Sequence, residues 1–282
     1  MYVFTVLKVF TFSEFSGPFS YELTRMASST KHENKEHNDH STEILEVINN
    51  WEHARLRCSS KQFSDTCVRI HFVRHGEGHH NVLAKTKGGC SCKTSPISCP
   101  YKEKQIMDAR LTELGRQQAS ANQSFTATLD QLTVIYVSPL SRAVETALLA
   151  FHTHHTTNAC AFVANENLRE QYGAHVCDQR RLVDEITVDY PQVDFSGLKT
   201  NEDVLWTVER EPKMSVALRA KAFFDDLKAH HEGGEKGSNE FAVVGHSSFL
   251  LTIFHVALDC GDENELKRWF DTGELRTVWV EL

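Results

Sequence analysis

The sequence lacks a surplus of positive charge, a long apolar run and a dense cysteine framework. Its 282 residues carry 30 Lys and Arg against 38 Asp and Glu, a net charge of −8, whereas a general nucleic-acid binder would need the opposite balance. No run approaches the roughly 18–20 apolar residues of a membrane-spanning helix, so we expect neither nucleic acid nor a membrane as a partner. Eight cysteines scattered over so long a chain are not needed as a disulfide framework, and we interpret most of them as reduced thiols of a cytoplasmic protein.

The amino-terminal segment lacks the features of a cleaved leader. Residues 1–25 hold short apolar stretches broken by charges such as Glu14, with no small-residue cleavage site, so we favour neither a secretory signal nor a mitochondrial presequence. Organelle targeting by this segment, or an upstream start, is the alternative. Residues 27–42 have no apolar residue large enough to pack and are predicted to be disordered. The predicted organisation is a variable tail over 1–40 and one domain over 41–282.

What the sequence does have is a regular alternation of two patterns. Short runs rich in β-branched and aromatic residues predict buried strands at 68–73, 134–137, 161–164, 241–244 and 276–281. Apolar residues at helical spacing predict helices at 44–55, 112–128, 141–150, 211–233 and 249–257. Residues 168–200 are predicted to form a long polar loop. This alternation predicts an α/β fold, a three-layer α/β/α sandwich with a mostly parallel sheet.

The strand at 68–73 is followed by Arg74-His75-Gly76, and this tripeptide indicates a type of reaction more clearly than any other segment of the chain. The guanidinium of Arg74 can donate two hydrogen bonds to one phosphate. The imidazole of His75 can act as a nucleophile, and Gly76 lets another group approach the backbone. An ordinary polar turn is the alternative. The tripeptide suggests phosphoryl transfer to histidine, provided that other segments supply matching groups.

Two further strands are followed by groups that match. Arg142 comes one turn after the strand at 134–137, and His246 comes two positions after the strand at 241–244. Because the carboxyl ends of parallel strands lie along one edge, two arginines and two histidines would surround one dianionic phosphoryl group. Ser247 is placed at a predicted helix N-terminus, where free N–H groups favour an anion. Glu170 is the candidate acid that protonates the leaving oxygen, with a solvated loop carboxylate as the alternative.

Five segments taken together resemble the successive motifs of the histidine phosphatase superfamily, in branch 1, which contains the cofactor-dependent phosphoglycerate mutases. They span roughly residues 68–250 in the same order. The segments are Arg74-His75-Gly76-Glu77 with Asn81, Asp108–Gly115, Ser138–Thr146, Leu168–Gly173 and Val244–Ser247. Five co-linear motifs are far more specific than any one of them. The resemblance implies a phosphoglycerate mutase-like fold.

The resemblance also implies roles for individual residues. It makes His75 the phosphorylated nucleophile and Glu170 the proton donor, and it implies neither a metal nor a diffusible cofactor for hydrolysis. The phosphate pocket would be completed by Arg74, Asn81, Arg142 and His246.

The chain departs from the mutases at three places. Gly78 stands where they usually have Ser, and Ser247 where they usually have Gly. They also clamp the substrate carboxylate with an Arg-Arg pair well downstream of the acid, whereas Arg180-Arg181 follows Glu170 by only ten positions (180 − 170). Arg180 and Arg181 are therefore candidates for substrate specificity, with a surface charge pair as the alternative. The pattern is closer to the fungal and plant phosphoglycerate mutase-like phosphatases than to glycolytic mutases.

These observations predict a metal-independent phosphatase that hydrolyses a small phosphorylated metabolite through a phosphohistidine on His75. A phosphoglycerate mutase-type isomerase and a non-catalytic phospho-ligand-binding module on the same fold are the alternatives. The expected partner is a small phosphorylated molecule, no cofactor is expected, and the chain would be a monomer or a homodimer. Loops at 85–105 and 171–205 are expected to determine which substrate binds.

Three cysteines, Cys90, Cys92 and Cys99, crowd the loop that follows His79-His80. A zinc site is conceivable there. The spacing lacks the doubled Cys-x₂₋₄-Cys pairing of zinc sites, so a thiol-rich insertion without metal is the favoured interpretation.

Overall fold

The computed structural model describes residues 55–89, 98–157, 159–233 and 239–282. The expected tail, the predicted helix at 44–55 apart from its last residue, and Cys90 and Cys92 of the thiol-rich loop lie outside the described residues. Within the described ranges, no helix is long and apolar enough to cross a membrane, and the cysteines are free thiols.

One sheet of seven strands runs through the described part of the chain. The strands are β1 Leu56–Ser59, β2 Val68–Arg74, β3 Leu132–Val137, β4 Ala161–Ala164, β5 Glu240–Gly245, β6 Leu258–Asp259 and β7 Leu275–Val280. Their order is β4-β3-β5-β2-β7-β1-β6; β7 is antiparallel to both neighbours, and the other neighbouring pairs are parallel. The predicted strands and the mostly parallel sheet are confirmed. β1 and β6 were not predicted, because Leu56–Ser59 has no run of β-branched or aromatic residues and Leu258–Asp259 has only two residues.

Helices and single turns connect the strands. The helices are α1 His79–Thr86, α2 Glu113–Ser120, α3 Gln123–Thr126, α4 Ser141–Ala150, α5 His152–Thr157, α6 Val183–Asp189, α7 Lys213–Gly233, α8 Ser247–Thr252 and α9 Asn264–Lys267. Tighter 3₁₀ turns lie at Pro100–Lys102, Lys104–Ile106, Glu166–Leu168 and Val176–Asp178.

Two predicted helices and one predicted loop need correction. The helix predicted over 112–128 starts as expected, with Thr112 accepting a hydrogen bond from the N–H of Gly115, but it is divided into α2 and α3. At the division the amide of Asn122 donates to the carbonyl oxygen of Gly273 at 2.9 Å, which turns the chain. The helix predicted at 249–257 begins earlier, as α8, and ends in a π-helical turn. The segment at 168–200 is not all loop, because the buried side chain of Ile186 anchors α6.

Apolar side chains pack on both faces of the sheet. All six residues of β5 are buried, as expected of a central parallel strand. Phe241 and Val243 join the cluster beneath α7 and α8, whereas Ala242 and Val244 join the cluster beneath α4. Each face is therefore covered by helices, which confirms the three-layer sandwich.

The carboxyl ends of β2, β3 and β5 lie side by side. The N–H of His75 donates to the carbonyl oxygen of Gly245, and the N–H of Ser138 donates to that of Val244, both at 3.0 Å. These bonds continue the ladders one residue past β2 and β3. His75, Ser138 and His246 consequently start from neighbouring positions on one edge of the sheet.

Candidate active site

His75 follows β2 with its ring buried. Its Nδ1 is 2.6 Å from the carbonyl oxygen of Gly76. Because a carbonyl oxygen only accepts, the proton is assigned to Nδ1, and Nε2 keeps its lone pair. Burial, and then the charges of Arg142 and Arg74, lower the pKa of His75 well below its usual value. The imidazole is therefore neutral at neutral pH and can attack through Nε2.

The loop that carries His75 approaches α2 at a distance that only glycine allows. A Cβ on Gly76 would lie 2.2 Å from the carbonyl oxygen of Gly115, and a Cβ on Gly115 would lie 2.1 Å from that of Glu77. The N–H of Gly76 also donates to Thr146 Oγ1 at 3.0 Å. Since Gly76 supplies the acceptor for Nδ1 of His75, this close packing orients the imidazole.

Arg74 and Arg142 reach His75 from two elements. Arg74 ends β2 and donates from Nη1 to the carbonyl oxygen of Phe270 at 2.6 Å. Arg142, in the first turn of α4, is buried and donates from Nη2 to Asp178 Oδ1 at 2.9 Å. The Nε atom of each arginine is buried without a hydrogen-bond partner in the described part of the chain. Buried donors are normally satisfied, so an anion at this position would complete the site.

Asp178 is the counter-ion of this pocket. It is buried, and its two carboxylate oxygens accept from Arg142 at 2.9 Å and from Arg210 at 2.8 Å. Burial alone would raise the pKa of Asp178, but Arg210 and Arg142 outweigh it and hold the pKa below its usual value. The carboxylate therefore stays charged and offsets part of the positive charge around His75.

His246 stands next to the nucleophile candidate, with the two ring centroids 5.0 Å apart. Its Nε2 is 2.7 Å from the buried hydroxyl oxygen of Ser138. Burial, and then Arg142, lower the pKa of His246 well below its usual value, so the ring is neutral. If the hydroxyl of Ser138 donates to Nε2, the proton lies on Nδ1, which is buried without a partner among the described residues. That N–H can donate to a phosphoryl oxygen.

Glu170 follows the 3₁₀ turn at Glu166–Leu168, and its side chain contacts the start of α8. Its Oε2 accepts from the N–H of Ser248 at 3.1 Å and from the hydroxyl of Ser247 at 3.2 Å. The charge of Glu170 also acts on the guanidinium groups of Arg74 and Arg210, so the carboxylate lies near the pocket. The hydroxyl of Ser247 thus orients Glu170, and the role of Ser247 as a phosphate contact stays a prediction.

Asn81, the remaining predicted phosphate contact, closes the first turn of α1. Its Oδ1 accepts from the N–H of Gly78 at 2.9 Å, and the N–H of Asn81 bonds back to the carbonyl oxygen of Gly78 at 2.9 Å. The amide oxygen is therefore committed to the helix, and the amide nitrogen is the group that can donate to an anion.

Arg180 and Arg181 are committed to the protein. Arg180 is buried and donates to Glu166 at 3.0 Å and to main-chain carbonyl oxygens in the segment 200–202. Arg181 donates to Asp108 at 3.0 Å and to Asp189 at 2.9 Å. Both guanidinium groups are thus held largely by acceptors within the protein, and the specificity role considered for this pair stays a prediction.

Three residues of the pocket were missed as functional candidates. Ser138 appeared only as the first residue of the segment Ser138–Thr146, His80 only beside a conceivable zinc site, and Asp178 was given no role. The signal for Ser138 is its position directly after a predicted strand, beside His246. No sequence signal pairs Asp178 with Arg142, because their contact depends on the path of the segment between β4 and α6. Within the described residues, no group of His, Cys, Asp and Glu is arranged to hold a metal ion.

Comparisons with a family model, with curated proteins and with solved structures each give a match. A family model described as "Histidine phosphatase superfamily (branch 1)" matches residues 100–280, a range that includes Arg142, Glu170 and His246 but begins after His75. The "Phosphoglycerate mutase-like protein" of Arabidopsis thaliana is 30% identical over 245 residues, covering 76% of this chain and 84% of the relative. "Phosphoglycerate mutase-like protein 1" of the same plant is 28% identical, covering 76% and 81%. The solved structure of a mycobacterial glucosyl-3-phosphoglycerate phosphatase with VO3 is 21% identical, covering 74% of this chain and 90% of that chain, with a TM-score of 0.45.

Proposed function

This chain belongs to the histidine phosphatase superfamily, branch 1, and on that premise we propose that it is a metal-independent phosphatase acting on a small phosphorylated metabolite through a phosphohistidine on His75. The family supports phosphatase or mutase catalysis. The observation that supports His75 as the nucleophile is its hydrogen bond from Nδ1 to Gly76 at 2.6 Å. That bond leaves Nε2 unprotonated beside two guanidinium groups.

In the first proposed step, the lone pair on Nε2 of His75 attacks phosphorus and the bond from phosphorus to the leaving oxygen breaks. The electron pair stays on that oxygen, which takes a proton from the carboxyl of Glu170. Arg74 and Arg142 stabilise the charge that builds on the non-bridging oxygens. His246 donates to one of these oxygens from Nδ1.

In the second step, water attacks the phosphohistidine and gives a proton to the carboxylate of Glu170. The bond from nitrogen to phosphorus breaks, its electron pair returns to Nε2 of His75, and inorganic phosphate leaves. Glu170 thereby regains the proton that it lost, so the cycle closes without a further reactant.

A mutase is the second candidate, since the family contains mutases. A mutase must retain the dephosphorylated intermediate so that it, and not water, recovers the phosphoryl group. The arginine pair that could clamp a carboxylate, Arg180 and Arg181, is held largely by acceptors within the protein. This favours hydrolysis over isomerisation.

The proposal is tested by phosphate release from an aryl phosphate in the presence of a metal chelator and without bisphosphoglycerate. The wild type should turn over and yield an acid-labile, alkali-stable phosphoenzyme that mass spectrometry maps to His75. His75→Ala should abolish both signals, and His79→Ala, a change at the exposed histidine of α1, should leave both intact. Glu170→Gln should slow the hydrolysis of alkyl phosphates about 10²- to 10⁴-fold. The hydrolysis of aryl phosphates should slow much less, because their leaving group needs no acid.

Each alternative has its own outcome. Interconversion of phosphoglycerates that occurs only with a bisphosphoglycerate primer, without phosphate release, would replace the hydrolase with an isomerase. Tight binding of phosphate with no turnover of any substrate would indicate a phospho-ligand-binding module. Loss of activity on chelation, restored by a divalent metal, would contradict the metal-independent mechanism.

A further inference from the structure

His80, the second residue of α1, brings a third imidazole to the pocket, one that the steps above do not use. Its ring centroid lies 5.5 Å from that of His75, and the residue is only 5% exposed. His79, next to it in sequence, is exposed. The first turn of α1 therefore directs one of two adjacent histidines into the site and the other to solvent.

Gly78 makes the space for this ring. A Cβ at Gly78 would lie 2.6 Å from Nδ1 of His80, a distance that no real side chain adopts. The Nδ1 atom is buried and has no hydrogen-bond partner in the described ranges. Because Nδ1 faces the backbone of Gly78 and reaches no acceptor among the described residues, the proton is assigned to Nε2, and Nδ1 carries the lone pair.

The surroundings of His80 are positive. Burial, and then Arg142, His75 and Arg74, lower the pKa of His80 well below its usual value, so its ring is neutral. A neutral ring with its proton on Nε2 is a hydrogen-bond donor. Because arginine cannot accept a hydrogen bond, the acceptor that suits this donor is an anion bound between the guanidinium groups.

We propose that His80 is a further phosphate-binding residue, which donates a hydrogen bond from Nε2 to a non-bridging oxygen of the phosphoryl group. This inference rests on the proposed function, since it adds a residue to the same pocket. The competing role is packing alone: the ring of Tyr101 lies 6.1 Å from that of His80 on the loop beside the pocket. A phenylalanine at position 80 would keep such packing and remove the donor.

The test compares His80→Phe and His80→Gln with His79→Phe, the matched change at the exposed neighbour. The dissociation constant of inorganic phosphate is measured by isothermal titration calorimetry, and inhibition by orthovanadate is measured in parallel. Losing a hydrogen bond to a charged group is worth roughly 10- to 100-fold in affinity, so His80→Phe should weaken phosphate binding by about that factor. His80→Gln, whose amide can donate, should recover part of the loss, and His79→Phe should bind as the wild type does.

Unchanged phosphate affinity in a folded His80→Phe would overturn the inference. Should that variant not fold, His80→Ala, which removes the donor without adding bulk, must show the same loss, and wild-type affinity in it would also overturn the inference. A wild type that binds no phosphate would remove both this inference and the proposed function. Phosphate binding that depends on His80 in a protein that never forms phosphohistidine would contradict the proposed function alone.

Discussion

Acid should destabilise this protein through the buried imidazoles of the pocket. Burial first, and the charge of Arg142 second, lower the pKa values of His75, His80 and His246 well below 6.5. In the unfolded chain these groups titrate near about 6.5, so below that pH the unfolded chain binds protons that the folded chain does not. Stability is therefore fully present above the unfolded pKa and is lost as the pH falls below it.

The size of the effect follows from linkage. Each of the three groups contributes about 1.4 kcal/mol of unfolding free energy per pH unit below its unfolded pKa, and together they contribute about 4 kcal/mol per unit. Burial is the main reason that the pKa of His175 is lowered to about 4. His175 therefore adds to the pH dependence of the unfolding free energy about as much as each of the other three histidines. The total stability of a domain is only about 5–15 kcal/mol, so the decline should be large between about pH 6.5 and pH 5.5.

Urea unfolding at several pH values from about 7.5 to 5.5, in buffer without phosphate, measures this slope. His80→Phe removes one of the groups and should make the slope shallower by about 1.4 kcal/mol per pH unit. His79→Phe, at an exposed position, should leave the slope unchanged. Identical slopes for His80→Phe and the wild type, or a free energy of unfolding that is constant over this range, would refute the linkage argument.

Two further changes test the supports of the pocket. Asp178→Asn leaves the buried Arg142 without its counter-ion and should lower the free energy of unfolding by about 3 kcal/mol, part of which added phosphate should restore. The control, Asp203→Asn, breaks a buried ion pair outside the pocket and should lower the free energy of unfolding as much, but phosphate should not restore it. Equal recovery in both variants would contradict the role of Asp178 as counter-ion. Ser138→Ala removes the hydroxyl bonded to His246 and should lower kcat about 5-fold with little change in KM, because a hydrogen bond to a neutral partner is worth about 1 kcal/mol and acts here by fixing the tautomer. Undiminished kcat would show that Ser138 does not position His246.

The convergence of the site was predictable because it depends on few, strong signals. β-branched runs mark the buried strands, and parallel strands bring their carboxyl ends to one edge. His75 and His246, 171 positions apart in the chain (246 − 75), are consequently brought to ring centroids 5.0 Å apart. The position of Arg142 was also predictable, because α4 starts after the short turn that follows β3 and Arg142 is its second residue.

The contacts that tune the site were not predictable in the same way. Which of His79 and His80 faces the pocket depends on the register of α1, and a helix of eight residues leaves too short a pattern to determine it. The one local clue is Gly78, since a residue without a side chain beside a histidine pair indicates a close approach. The sequence does not show which group approaches Gly78, and the structure identifies it as the ring of His80.

Arg180 and Arg181 show most clearly what spacing cannot decide. An arginine pair near an acid suggests a carboxylate clamp, yet buried arginines serve equally well to join loops through carbonyl oxygens. Here Arg180 binds Glu166 and the carbonyl oxygens of 200–202, which ties the segment before Glu170 to the segment after α6. Because Arg180 holds this loop in place, we expect selectivity among phosphorylated metabolites to depend on other side chains that the loop carries, such as His175, whose ring centroid lies 4.9 Å from that of Tyr101.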